Sequence, residues 1–415
     1  MGTPLGFRLG RAERRLRLAI RALATRRPWE LRSAFAAVPG VPQAASAAGL
    51  GAVVVLPAVA WDYRWQRPQQ LAVALAAAGR PVVYVDPFAR SRLSPRLVAR
   101  QLGPAFLWLL LALRGLPDPY RSTLDPAEAE RLADELLASL AEPPDWLLVQ
   151  LPFWEPLAGA LAARTGAPIV YDRLDLHAGF AAIPASVLAA EERLLDRAHL
   201  VVATSAALAE TRRPPAGRIA LVRNGVDLER FRLAPPPVGG RPRVGFVGAL
   251  AAWVDAAGLA AAARARPGLD FLIAGRVEDA GFRALEREPN VQLLGEVPHA
   301  EVPRFLARLD AALVPFRDLP LTRAVDPVKL YEALAVGLPV VARRLPEIAR
   351  WAGTVELYDA SEELPAALDR ALAAGGVEAR AARRAAVAGE SWVERAVTLE
   401  RLVAPLVRSP HPAAP

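Results

Sequence analysis

Short apolar runs alternate with longer amphipathic stretches in two successive series, and this alternation constrains the fold more than any other feature of the sequence. Ala52 to Pro57 reads as a buried strand, a helical stretch follows as far as Ala78, Gly79 ends it, and Pro81 to Asp86 reads as the next strand. Strand, helix and strand within so few residues form a βαβ unit of a parallel sheet. The pattern resumes with strands at Trp146–Gln150, Pro168–Asp172 and His199–Thr204, helices at 155–165 and 187–197, and a strand end at Leu221. Residues 232–242, rich in Pro and Gly, read as an internal linker. A second series follows, with strands near 243–248, 269–274, 291–294, 310–315, 338–342 and 354–358 and helices between them; 362–374 and 377–405 read as helical. The expected fold class is α/β, two doubly wound Rossmann-like domains facing a central cleft. A length of 415 residues suits this. The expected domains are a basic tail and linker over 1–50, an N-terminal domain over 51–235, a C-terminal domain over 236–388, a helix over 389–408 crossing back to the first domain, and a disordered tail over 409–415.

One segment departs from the alternation. Residues 104–113 are continuously apolar, too few to span a bilayer, which takes about twenty residues. They are expected to form a buried helix, with an interfacial helix as the alternative.

Composition removes several chemistries. The chain has no cysteine, so disulfides, thiolate catalysis and Cys-based zinc sites are excluded. Its four histidines, 177, 199, 299 and 411, are scattered, and no metal site is expected. Net charge is +8, but residues 1–50 carry nine Arg and two Glu, or +7, leaving about +1 for the remainder. A near-neutral body argues against nucleic-acid binding. Residues 8–27 fit either a basic amphipathic helix on an anionic membrane surface or a basic tail.

Candidate chemistry concentrates in Arg323 to Val341, which reads as a loop, a short helix, a Gly turn and a buried strand. Pro327 suits the first helical position, which puts Asp326 at the N-cap. Leu330 and Leu334 face a core, while Lys329 and Glu332, three apart, share the other face near the helix start. A helix N-terminus favours an anion. Lys329 is also the only lysine, so a compact ammonium has survived where all other cations are arginine. Such an ammonium suits a place where a planar fork does not fit, and a compact point charge on a phosphate is one such need. Two loops at strand C-termini add candidates: Trp61 to Gln70, with three aromatics and two arginines, and the segment after Tyr171, with Asp172, Asp175 and His177. An imidazole and a carboxylate there can receive a hydroxyl proton, although Asp172 is equally suited to capping a helix.

Together these motifs resemble the group 1, family 4-like nucleotide-sugar glycosyltransferases of the two-domain GT-B architecture, in particular bacterial envelope polysaccharide and teichuronic-acid-type enzymes. The resemblance rests on Trp61 to Gln69, Tyr171 to Asp175, Asn224-Gly-Val-Asp227 with Phe231, Gly245 to Leu250 with Trp253, Asn290 to Gly295 and Asp326 to Glu332. It covers roughly residues 50–405, and the last motif is the most specific. The resemblance implies that the C-terminal half binds a sugar nucleotide as co-substrate, with no separate cofactor, and that the N-terminal half binds the acceptor through Trp61, Arg64, Trp65, Arg67 and Gln69. Glu332 would hold the ribose hydroxyls. Lys329, Arg323 and the chain from Asp326 to Val328 would hold the diphosphate or the sugar. Gly248 and Ala249 would lie against the phosphates, and the loops bearing Arg276 and Val297 would line the base. Lys329, Asp175 and His177 would serve catalysis.

Two departures stand out. The carboxylate often found eight residues before the ribose glutamate is Ala324 here, and Arg323 and Asp326 flank it as candidate substitutes. Ala249 to Trp253 lacks the Arg and Lys that many members carry after the Gly-rich strand. The resemblance implies a metal-independent hexosyltransferase that retains anomeric configuration, acting on a glycan or lipid-linked acceptor. It would be cytoplasmic, and peripheral on the plasma membrane if the tail binds lipid. A nucleotide-sugar 2-epimerase and a catalytically degenerate sugar-nucleotide-binding subunit are the alternatives.

Overall fold

The computed structural model describes residues 50–89, 97–103, 106–113, 118–211, 218–235, 237 and 239–407. The basic segment 8–27 and the tail 409–415 lie outside the described residues. The chain forms two α/β lobes. The first sheet has eight strands in the order β3-β4-β2-β1-β5-β6-β7-β8: β1 (Val53–Leu56), β2 (Val82–Ala89), β3 (Leu97–Gly103), β4 (Phe106–Leu113), β5 (Trp146–Val149), β6 (Ile169–Arg173), β7 (Leu200–Ala203) and β8 (Arg218–Leu221). The second has six in the order β11-β10-β9-β12-β13-β14: β9 (Arg243–Val247), β10 (Asp270–Ala274), β11 (Val291–Gly295), β12 (Ala311–Val314), β13 (Val340–Arg343) and β14 (Glu356–Tyr358). Among the described residues all strand pairings in the two sheets are parallel except β3 with β4. The two facing doubly wound lobes read from the alternation are therefore present.

Apolar clusters cover both faces of the first sheet. One includes Val54, Val83, Leu147, Trp154 and Leu161; the other includes Val53, Trp61, Leu71, Tyr84 and Trp146. Burial on both faces explains why these strands are runs of Val and Leu rather than alternating sequences. The same cause corrects the expectation for 104–113. Phe106–Leu113 is a strand, not a helix, paired with β2 on one side and β3 on the other.

The second lobe's core takes in Val226, Phe231 and Ala234, all upstream of residue 236. The Pro/Gly stretch thus follows the crossing between lobes. The chain returns through the helix Trp392–Val407, whose Trp392, Ala396, Leu399 and Val403 join the first lobe's outer cluster. Arg80 fastens it with bonds of 2.8 and 2.6 Å to Glu400. The stretch 377–405, read as helical, contains two helices, Val377–Ala386 and Trp392–Val407. The break lies where Val226 N donates to Glu390 O at 2.9 Å and Val226 pairs with Ser391. Gly225 permits this approach, because a Cβ there would stand 2.8 Å from Glu390 O.

Candidate active site

Parallel strands place their C-termini along one edge of each sheet, so the loops after β1, β6, β9, β10, β11 and β12 gather between the lobes. Lys329 stands on the first turn of the helix Val328–Ala335. Its Nζ lies 4.8 Å from the ring centres of both Phe246, on β9, and Phe316, after β12. Aromatic faces attract a cation but give it no counter-charge. Among the described residues Lys329 makes no ion pair or hydrogen bond. Burial pushes its pKa down to about 8, with Glu332 acting in the opposite direction. A Cβ at Gly248, whose φ is +154°, would stand 2.8 Å from that Nζ, so the glycine keeps the approach open. The amides of Val328 and Lys329 open the helix, where N–H groups have no intrahelical acceptor.

Glu332 is buried, with Oε1 3.3 Å from His299 Nε2. His299 Nδ1 is 3.1 Å from an Arg230 guanidinium nitrogen. Trp65 of the first lobe stacks on this imidazole at 6.4 Å, and Phe231 meets it edge-on at 5.7 Å. Arg64 reaches across to Glu296 at 2.7 Å and Glu278 at 3.3 Å, on the loops after β11 and β10. Arg276 is paired to Glu278 at 2.8 Å, and Val297 packs partly buried on the second core. Ala249 is partly exposed beside Gly248.

The loop after β6 supplies His177, which is 1% exposed and has no hydrogen-bond partner on either ring nitrogen. Its Nδ1 lies 3.3 Å from Glu191 Oε1, outside hydrogen-bonding alignment. Glu191 also accepts from Arg173 at 3.0 Å and Tyr171 at 3.1 Å. Burial raises its pKa, but His177 and Arg173 outweigh that and hold it below the usual carboxylate value. Burial raises the pKa of Asp175, against the effect of His177. Next in this loop, Phe180 meets Trp253 of the second lobe at 6.4 Å.

Several residues expected at the site are engaged by other groups of the protein, and of these Asp326 joins the lobes through Asn224. Asp326 is not the N-cap; that position falls to Pro327. The Asp326 carboxylate accepts from Asn224 N at 2.7 Å and Tyr331 OH at 2.8 Å, while Asn224 Nδ2 donates to Asp326 O at 2.7 Å. Arg67 is buried and grips Asp172 at 2.8 and 3.0 Å, with a further bond of 3.2 Å to Asn224 Oδ1. Gln150 completes Asp172 at 2.9 Å. Asp172 therefore anchors Arg67 rather than capping a helix. Trp61 is core, and its amide donates to Asp86 at 2.8 Å. Gln69 is fully buried and donates to Ala60 O and Arg64 O at 3.0 Å each. Arg323 is exposed and bonded to Asp318 at 2.6 Å. Ala324 packs with Ala203 and Leu208 of the other lobe, so the position of the absent carboxylate is an apolar contact. Of the two flanking charges, Asp326 is spent on Asn224 and Tyr331, and Arg323 is exposed in its pair with Asp318.

Sequence reading missed His299, Arg230 and Asn224 as site-forming groups. The available signals were a Pro-His pair just past the Gly295 loop and the short spacing from Asp227 to Phe231. Asp227 bonds the amides of Glu229 and Arg230 at 3.1 and 3.0 Å and directs Arg230 towards His299.

Residues 68–230 match the family described as Glycosyltransferase Family 4, and residues 241–374 match Glycosyl transferases group 1. A curated relative, the putative teichuronic acid biosynthesis glycosyltransferase TuaH of Bacillus subtilis, is 33% identical over 178 residues; the match covers 40% of this chain and 45% of TuaH, so the chain spans less than half of that relative's length. The fold matches sucrose-phosphate synthase of Thermosynechococcus elongatus with a TM-score of 0.66 at 17% identity, covering 86% of this chain and 99% of the other. A trehalose-6-phosphate structure from E. coli, bound with UDP-2-fluoro glucose, gives 0.63 at 14% identity, covering 86% and 99%. At such identities these structures establish the fold alone. With both lobes matched and their architecture shared, the chain belongs to the group 1, family 4-like glycosyltransferases of the GT-B fold.

Proposed function

We propose that this protein moves a sugar from a nucleoside-diphosphate sugar to a hydroxyl acceptor, with retention at the anomeric carbon, in the synthesis of a cell-envelope polysaccharide or glycolipid. The observation that carries the reading is Lys329, an ammonium at a helix N-terminus that makes no ion pair or hydrogen bond among the described residues. As the glycosidic bond breaks, the leaving diphosphate gains negative charge. Lys329 and the first helical amides stabilise that charge without rearranging. Glu332 takes the ribose, and the loops bearing Arg276 and Val297 flank the base. Arg64 and Trp65 line the mouth on the acceptor side. His177, with two unspent nitrogens, and Asp175, with a raised pKa, orient the acceptor hydroxyl. The name of the TuaH relative supports the envelope assignment. Among the described residues no helix is long and apolar enough to cross a membrane.

Turnover of Lys329→Met tests the donor site. A loss on the order of a hundredfold or more is expected, as for other preorganised donors to a developing charge; activity near wild type in a folded variant removes the reading. For His177→Ala the acceptor KM and kcat are measured, and values equal to wild type remove its role.

A further inference from the structure

We propose that His299 is a positioning residue for the donor's ribose, fixing Glu332 so that its other oxygen accepts from a ribose hydroxyl. The proposal rests on the donor reading of Glu332 given above. Arg230 only donates hydrogen bonds, so His299 Nδ1, 3.1 Å from it, must be the acceptor. The neutral ring then carries its proton on Nε2, which donates to Glu332 Oε1 at 3.3 Å. Trp65 and Phe231 hold the ring, so it cannot turn away from the carboxylate. Glu332 has no other hydrogen-bond partner among the described residues, which leaves its second oxygen for a ligand. The segment Asn224–Phe231 thus gains a purpose: Asp227 sets Arg230, Arg230 sets the tautomer of His299, and His299 sets the carboxylate. Because Trp65 belongs to the first lobe, the ribose carboxylate is held in this orientation only while the lobes are together.

The test compares the affinities of UDP, GDP and ADP with those of their 2′,3′-dideoxy counterparts, by titration calorimetry on the full chain. Wild type should bind the better ribonucleotide roughly tenfold or more above its dideoxy form, the worth of a hydrogen bond to a charged group. Glu332→Ala should abolish that preference. His299→Phe keeps the ring packing without a donor and should reduce the preference to about threefold or less. His299→Gln supplies an amide donor and should restore it. A role in stacking alone predicts the opposite order, with Phe retaining the preference and Gln losing it. Loss in Glu332→Ala with the full preference kept in His299→Phe overturns the role of His299 and leaves the ribose reading standing. A preference that persists in Glu332→Ala, or no binding of any of the three ribonucleotides by wild type, overturns the ribose reading itself.

Discussion

Arg67, which is buried, and Lys329, which is half-buried, are both cations near the junction of the lobes, yet their surroundings are opposite. Arg67 meets a carboxylate in three bonds, a backbone carbonyl and an amide oxygen. Lys329 meets two aromatic faces and a glycine. A charge taken out of water is costly unless it is paired. The paired cation is therefore part of the scaffold, and the unpaired one carries a cost that a bound anion can offset. The same contrast separates Asp172 and Asp326, whose oxygens are spent inside the protein, from Glu332, which keeps one oxygen without a hydrogen bond among the described residues, and His177, whose ring nitrogens make none there.

Removing each cation in turn and reading the stability of the apo protein should separate the two roles. Arg67→Ala strands the Asp172 carboxylate, and removing one partner of a buried pair typically costs about 3–5 kcal/mol. Chemical denaturation should show a loss of that order. Lys329→Met should change stability in the opposite direction. Its folded pKa, about 8, lies below its unfolded value of 10.5. The folded state therefore binds fewer protons across that window, stability rises with pH from about 8 to 10.5, and at neutral pH the ammonium is a net cost. Replacing it with an apolar chain should gain about 1–3 kcal/mol at pH 7. A loss of stability in Lys329→Met would place this cation in the same class as Arg67.

The same depressed pKa gives a smaller effect on binding. The ammonium that meets the diphosphate is lost as pH rises through about 8 in the free protein. Nucleoside diphosphate affinity should therefore fall above that pH, by up to about tenfold per unit. Lys329→Arg keeps its charge throughout and should lack the step. A step of equal size in that variant assigns the titration to another group.

Legibility in the sequence followed the same division. The strands were readable because parallel strands buried on both faces are apolar runs between Gly and Pro. That property also misled at Phe106–Leu113, since a segment with no polar face has no period to tell a strand from a helix. Lys329 was readable because an N-terminal helical position and a lone ammonium are both local facts. Asp326 was misplaced because the local cap chemistry was overridden by Asn224, 102 residues away in the chain. Arg67 and Arg64 look alike in sequence, three residues apart in one loop. Only the fold shows that one meets Asp172 inside its own lobe, while the other crosses the cleft to Glu278 and Glu296.

Those two arginines provide the finest test. The carboxylates that Arg64 bonds are 28% and 48% exposed at their side chains, against 1% for the Asp172 side chain. Burial, desolvation by its surroundings, lowers the pKa of Arg64, while its bond to Glu296 and the nearby carboxylates raise it, for a net increase. Water and salt screen such a pair, and exposed pairs contribute about 0–1 kcal/mol. Arg64→Ala should therefore leave the denaturation midpoint almost unchanged, with any loss shrinking further as salt is raised. A salt-independent loss of about 2 kcal/mol or more would mean that lobe contact across the cleft is as firm as the Asn224–Asp326 junction, and the division between scaffold charges and waiting charges would then have to be drawn inside the loop itself.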